Sequence, residues 1–265
     1  MRRIISLWLP GWPIDRWRQR HGAPAEGPFA LVATVEGGRR LTAVDAAAAA
    51  AGLRPGEALA DARARLPALR TADAVPDRDA ADLEALAGWC RRYTPWTRAD
   101  APAGVLLDVT GCTALFGGEA ALLADLGDRL GRRGFAHRLA IADTPGAAWA
   151  AARYAAGPSP AVLPPGAARA ALAPLPVEAL GLDAADAAGL RRVGLARIGD
   201  LYPLPRAPLV ARFGTTVATR LDQALGTLAE PVMPQAPAPE RRVRLAFAEP
   251  ILTAEPIAAA ARRLL

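Results

Sequence analysis

Residues 100–119, DAPAGVLLDVTGCTALFGGE, constrain this chain more than any other stretch. Residues 105–110 are a run of apolar and β-branched side chains, and Gly111, Gly117 and Gly118 punctuate the segment after it. Such a run predicts a buried, central strand leading into a turn. A working active site is expected on a strand of this kind. The residues that open it, Ala101, Pro102, Ala103 and Gly104, supply no acid, base, nucleophile or metal ligand.

Composition narrows the remaining possibilities. At 265 residues and 52% apolar content the chain can bury a real core in one large unit or several small ones. All 32 basic residues are arginine, and against 26 acids they leave a net charge of +6. The missing lysines fit a GC-rich genome, as do the many alanines, glycines and prolines; they also fit phosphate recognition, because arginine contacts phosphate bidentately. Cys90 and Cys112 form no CxxC pair, and His21 and His137 lack ligand-spaced neighbours, so neither a disulfide framework nor a zinc site is expected. With no charged leader before an apolar segment and no run of about 18 uncharged apolar residues, the expected location is cytoplasmic, with no membrane.

In chain order, residues 4–9 predict a strand stopped by Pro10 and Pro13, with Trp8, Trp12 and Trp17 around the turn, and 29–35 a second strand. Residues 43–51 predict a helix closed by Gly52, and 55–66 another that starts at a proline. Leu83, Leu86, Ala87 and Cys90 recur at helical spacing within 78–93. Helix 120–133, strand 138–142 and helix 145–156 come next, giving helices on a small sheet, an α+β architecture. Four prolines within 157–166 mark a boundary.

Beyond it the pattern changes. A helix over 184–192, the turn Val193, Gly194, Leu195 and a helix from about Ile198 are followed by a similar unit turning at Phe213, Gly214, Thr215. Two helix-hairpin-helix units hold a nucleic-acid backbone without reading its sequence, since glycine permits close approach and helix-start amides face a phosphate. A plain α-hairpin bundle is the competing reading. Residues 231–239 carry four prolines and read as a linker; 241–247 alternate as a strand and 255–265 as a helix. One strand and one helix cannot bury a core, so the chain is expected to stop inside its third unit.

These pieces, in this order, resemble the Y-family translesion DNA polymerases. The anchors are Leu107, Asp108, Val109, Thr110 and Gly111 with Leu115, Phe116 and Gly117; Gly52, Leu53 and Arg54; and residues 194–201, GLARIGDL. The resemblance implies a palm at 1–27 and 78–165, a fingers-like insert at 28–77, a helix-hairpin-helix thumb at 166–230, and at 231–265 a linker with the start of a truncated little finger.

Catalysis in that family uses two metal ions held by carboxylates. Their positions fall on Trp8, Pro10, Ala103 and Gly104, and the triphosphate contacts on Ala46, Ala49 and Trp149. Asp100 is expected to face away from position 103 along an extended strand. The resemblance is therefore to the inactive homologue of the bacterial damage-inducible mutagenesis cassette: not an enzyme, without metal or cofactor. The partners so implied are DNA, an error-prone C-family polymerase, a RecA-like accessory protein and the sliding clamp, although the segments for the last three are expected to be missing here. DNA contacts are expected at Gly194, Leu195, Arg197, Gly199, Gly214, Thr215 and Thr216, and at Arg241, Arg242 and Arg244. An active Y-family polymerase and a generic helix-hairpin-helix module are the competing readings.

Overall fold

The computed structural model describes residues 2–22, 27–157, 159–232, 247 and 254–264. Its first unit spans Met1–Gln235. At its centre is β1 (Ile4–Trp8), the middle strand of a five-stranded sheet ordered β5-β6-β1-β7-β8. The partners are β5 (Thr97–Asp100), β6 (Gly104–Asp108), β7 (Arg138–Ala142) and β8 (Ala161–Val162). β1 runs antiparallel to both β6 and β7. The expected central strand is therefore one place from the middle.

Strand alternation divides the interior. Ile5 and Leu7, with Val105, Leu107, Leu139 and Ile141, join the core made with α1 (Trp12–His21), α4 (Pro76–Cys90) and α5 (Glu119–Arg132). Ile4, Leu106, Ala140 and Ala142 join the opposite core, made with α6 (Pro145–Tyr154) and helices beyond residue 167. Because both faces are covered, these strands read as unbroken apolar runs. Trp12 is buried and its indole donates to the Asp79 carbonyl at 3.0 Å, so the expected proline-stopped turn is instead the start of α1.

A second sheet, ordered β3-β2-β4, contains β2 (Phe29–Val35), β3 (Gly38–Val44) and β4 (Arg70–Asp73), flanked by α2 (Ala46–Ala50) and α3 (Leu59–Arg65). β2 and β3 form a hairpin that the pattern concealed. Its loop residues Glu36 and Gly37 both have positive φ, +50° and +79°, as primed hairpin turns require, but Glu36 is not the Asn or Asp that usually announces one. The helix expected over 43–51 shrinks to α2, because β3 runs as far as Val44 and Asp45 then caps the helix by accepting from the Ala48 amide at 2.8 Å.

The helical part contains α7 (Ala168–Leu172), α8 (Ala184–Arg192), a 3₁₀ turn at Ile198–Leu201, α9 (Arg206–Phe213) and α10 (Thr215–Leu225). The helix expected from Ile198 is thus a single 3₁₀ turn. A Cβ on Gly146 of α6 would lie 3.0 Å from the Ala224 Cα, so glycine lets α10 dock closely on the sheet-covering helix. The second unit spans Ala236–Leu265, and its described helix is α11 (Ala254–Leu264). The linker after Val232, the expected strand before Phe247, and Arg241, Arg242 and Arg244 lie outside the described residues.

Candidate functional site

The sheet places Trp8 directly opposite Gly104 on β6 and Arg138 on β7. The Leu9 amide donates to the Ala103 carbonyl at 2.9 Å, tying the strand end to the β5–β6 turn. Into this corner comes Arg153 from the last turn of α6. Its Nη2 donates to Asp100 Oδ2 at 3.0 Å and its Nη1 to Ser6 Oγ at 3.4 Å. The guanidinium carbon lies 4.1 Å from the Trp149 ring centroid and 5.7 Å from that of Trp8. Both partners are mostly covered, at 10% exposure for Arg153 and 20% for Asp100. Burial lowers the Arg153 pKa while Asp100 raises it again, and a guanidinium keeps its proton throughout.

Gly104 completes the arrangement. A Cβ there would meet Arg153 Nη2 at 2.9 Å and Asp100 Oδ2 at 3.0 Å, so the guanidinium–carboxylate pair occupies the space of a side chain at position 104. Asp100 is paired in register with Gly104 and shares its face, whereas Ala103 packs against the opposite core, so Asp100 faces away from position 103 as expected and meets Arg153 there. Its carboxylate is engaged by Arg153 and gives no open ligand. Trp8, Pro10, Ala103 and Gly104 do not fit a pair of metal ions: none carries a carboxylate, and the one beside Gly104, that of Asp100, is paired with Arg153. Among the described residues no group of three or more His, Cys, Asp or Glu could hold a metal ion. Ala46 and Ala49 stand exposed on α2, and Trp149 lies under Arg153.

The two hairpins differ. Gly194 and Gly214 have φ of +83° and +77°, which β-carbon-bearing residues rarely adopt. In the first hairpin every amide from 193 to 200 has an internal acceptor. Leu195 donates to Leu190 O, Ile198 to Leu175 O and Gly199 to Ala173 O, at 3.1, 2.9 and 3.0 Å. The Ala196 and Arg197 amides both donate to Asp200 Oδ2, at 3.0 and 2.8 Å. An internal carboxylate therefore occupies both of these amides, and the Arg197 side chain is exposed. In the second hairpin Gly214 has no side chain to cap α10, and among the described residues no hydrogen bond outside the helices uses the amides of Thr215 or Thr216. Both residues are exposed, and Arg192 and Arg212 line the neighbouring groove between α8 and α9. Among the described residues Arg192, Arg197 and Arg212 form no ion pair, whereas Arg206 is held by Asp222 at 2.7 Å.

No protein-family model matches the chain. It is 51% identical over 207 residues to Protein ImuB of Caulobacter vibrioides strain NA1000 / CB15N, covering 78% of this chain and 45% of that protein; ImuB of strain ATCC 19089 / CIP 103742 / CB 15 matches equally. Its fold is similar to that of DinB from Sulfolobus solfataricus, with a TM-score of 0.70, 15% identity and coverage of 87% of this chain and 69% of that one. An insertion ternary complex of Dbh DNA polymerase gives 0.72 at 14% identity, covering 86% and 69%. A Y-family DNA polymerase chimera of Dbh and Dpo4 gives 0.71 at 14% identity, covering 88% and 70%.

The chain is a Y-family polymerase homologue close to ImuB. It spans less than half the length of the ImuB proteins it matches. Two features of this Y-family homologue escape a reading of the sequence. Asp200 lies only three residues beyond Arg197, so its capping role was available from local spacing. Arg153 is one helical turn from Trp149 on a helix otherwise rich in alanine, the one local sign that it would stack there.

Proposed function

We propose that this Y-family homologue is a non-catalytic DNA-binding protein that supports damage-induced translesion synthesis by other polymerases. The observation that carries the reading is Arg153, a mostly covered cation paired with Asp100 and set against Gly104 and Trp8 where the family resemblance calls for metal-binding carboxylates. A site already neutralised by its own guanidinium has no electrostatic reason to take up divalent cations. We assign the palm to 1–27 and 78–165, the fingers to 28–77, the thumb to 166–230 and the little-finger segment to 231–265. DNA is held without sequence preference through the second hairpin, by the amides at Thr215 and Thr216 and the arginines beside them, in the cytoplasm. An error-prone C-family polymerase, a RecA-like protein and the sliding clamp are the partners that an adaptor of this kind serves. Primer extension with magnesium or manganese, alongside DNA binding by fluorescence anisotropy, tests the reading. Binding without extension is the expected result; extension that vanishes on substitution of residues at the strand end overturns it.

A further inference from the structure

A groove lies on the side of the β5–β6 turn away from the Arg153–Asp100 pair. Alternation along β5 sends Arg98 and Asp100 toward α6, whereas Ala99 lines this groove together with Pro102. Its remaining walls are Ala33 of β2, Thr42 of β3 and one face of α4. The volume is about 440 Å³, room for a few side chains, and the floor is apolar, with Leu83 buried at its base.

Its charge is opposite to that of the chain. In a protein with 32 arginines, no basic residue among those described lines this groove, while Asp77, Asp79 and Glu84 do. Asp79 is held by Arg20 at 3.5 Å. Asp77 and Glu84 are exposed and make no ion pair among the described residues. Seven residues apart on α4, they fall on one helix face and stand about 10 Å apart along its axis. About three residues of extended chain span that distance.

We infer that this groove docks a segment of a partner protein in which an apolar residue sits between two basic ones, and that it does not take nucleic acid. The apolar floor removes the central side chain from water, and the two acids meet the flanking cations. A nucleotide or DNA strand would bring phosphate against two unpaired carboxylates with no cation to offset it.

The test uses the whole chain and a fluorescein-labelled peptide containing Arg-Pro-Leu-Arg, measured by anisotropy, with Glu-Pro-Leu-Glu and Arg-Pro-Ser-Arg counterparts. Saturable binding of the first is expected, weakened about five-fold in each counterpart and about five-fold by Asp77→Asn with Glu84→Gln. Asp61→Asn with Asp128→Asn, exposed acids elsewhere, should leave it unchanged. A photo-leucine version should cross-link within residues 74–84 or 99–102. No saturable binding, equal binding by the Asp77→Asn, Glu84→Gln protein, or cross-links only elsewhere would overturn the inference. So would a primer-template DNA that displaces the peptide and binds the double variant more tightly.

Discussion

Arg153 Nη2 lies 3.0 Å from Asp100 Oδ2, and the same guanidinium rests 4.1 Å from the centre of the Trp149 ring. One side chain thus neutralises the acid left near the strand end and covers it with aromatic surface. Breaking a largely buried pair from one side leaves an uncompensated charge, so Arg153→Ala should cost about 3 kcal/mol. Removing both partners should cost less than the sum of the single changes. Urea unfolding of the two single variants and the double variant checks this; strictly additive losses would show that the pair is not coupled.

Restoring acids should not by itself restore a metal site. In a Trp8→Asp, Ala103→Asp, Gly104→Glu variant the new Glu must displace Arg153 Nη2, which lies 2.9 Å from the position of its Cβ. We expect the new carboxylates to pair with the guanidinium, and manganese binding by electron paramagnetic resonance to emerge only when Arg153→Ala is added. Nucleotide incorporation should still fail, because Ala46, Ala49 and Trp149 offer the triphosphate no charged hydrogen bond, a deficit of roughly 1.5–3 kcal/mol for each missing contact. Incorporation by the triple variant, with folding verified by circular dichroism, would show that the pocket stayed competent.

The hairpins should contribute unequally to DNA binding. Valine at Gly194 or at Gly214 meets a positive φ, and at Gly214, where ψ is 179°, a region open essentially to glycine alone, a strain on the order of 1–3 kcal/mol. Of the two turns, the second is the one whose helix-start amides stay open among the described residues. Gly214→Val is therefore expected to weaken DNA binding about ten-fold, and Gly194→Val much less, in variants of matched folded fraction. Equal effects would mean that the Asp200 carboxylate yields to phosphate.

Salt dependence reads the arginines. If Arg192, Arg197 and Arg212 each meet a phosphate, replacing all of them by alanine should flatten the plot of log affinity against log salt by about 3 units for duplex DNA. An unchanged slope would move the binding surface elsewhere.

Cys90 supplies a pH test. Burial pushes its thiol up to about 12 from an ordinary 9.0. Above pH 9 the unfolded chain releases a proton that the folded chain retains, so stability should fall by about 1.4 kcal/mol per pH unit through that window; below it this contribution is absent. Urea midpoints from about pH 8 to about pH 10 should fall less steeply in Cys90→Ala than in the parent chain. A thiol reagent should label the partly exposed Cys112 and spare Cys90 until the protein unfolds.

Residue identity alone determined much of this protein. The apolar run at 105–110, the helical spacing of Leu83, Leu86, Ala87 and Cys90, and the glycines at 194 and 214 are local signals, and local physics reads them. That Trp8, Ala103 and Gly104 cannot bind metal is settled by the chemistry of those side chains. Which strand is central is not settled locally: β1 and β6 are both covered on two faces, so their sequences carry the same pattern and only pairing separates them. The β2–β3 hairpin was hidden because Glu36 adopts a left-handed conformation that its type does not advertise. The meeting of Arg153 with Ser6 and Asp100, 147 and 53 positions away, was decided by the docking of α6 across the sheet. Contacts of that separation have no local signature, because they arise only when distant elements bury their faces against each other.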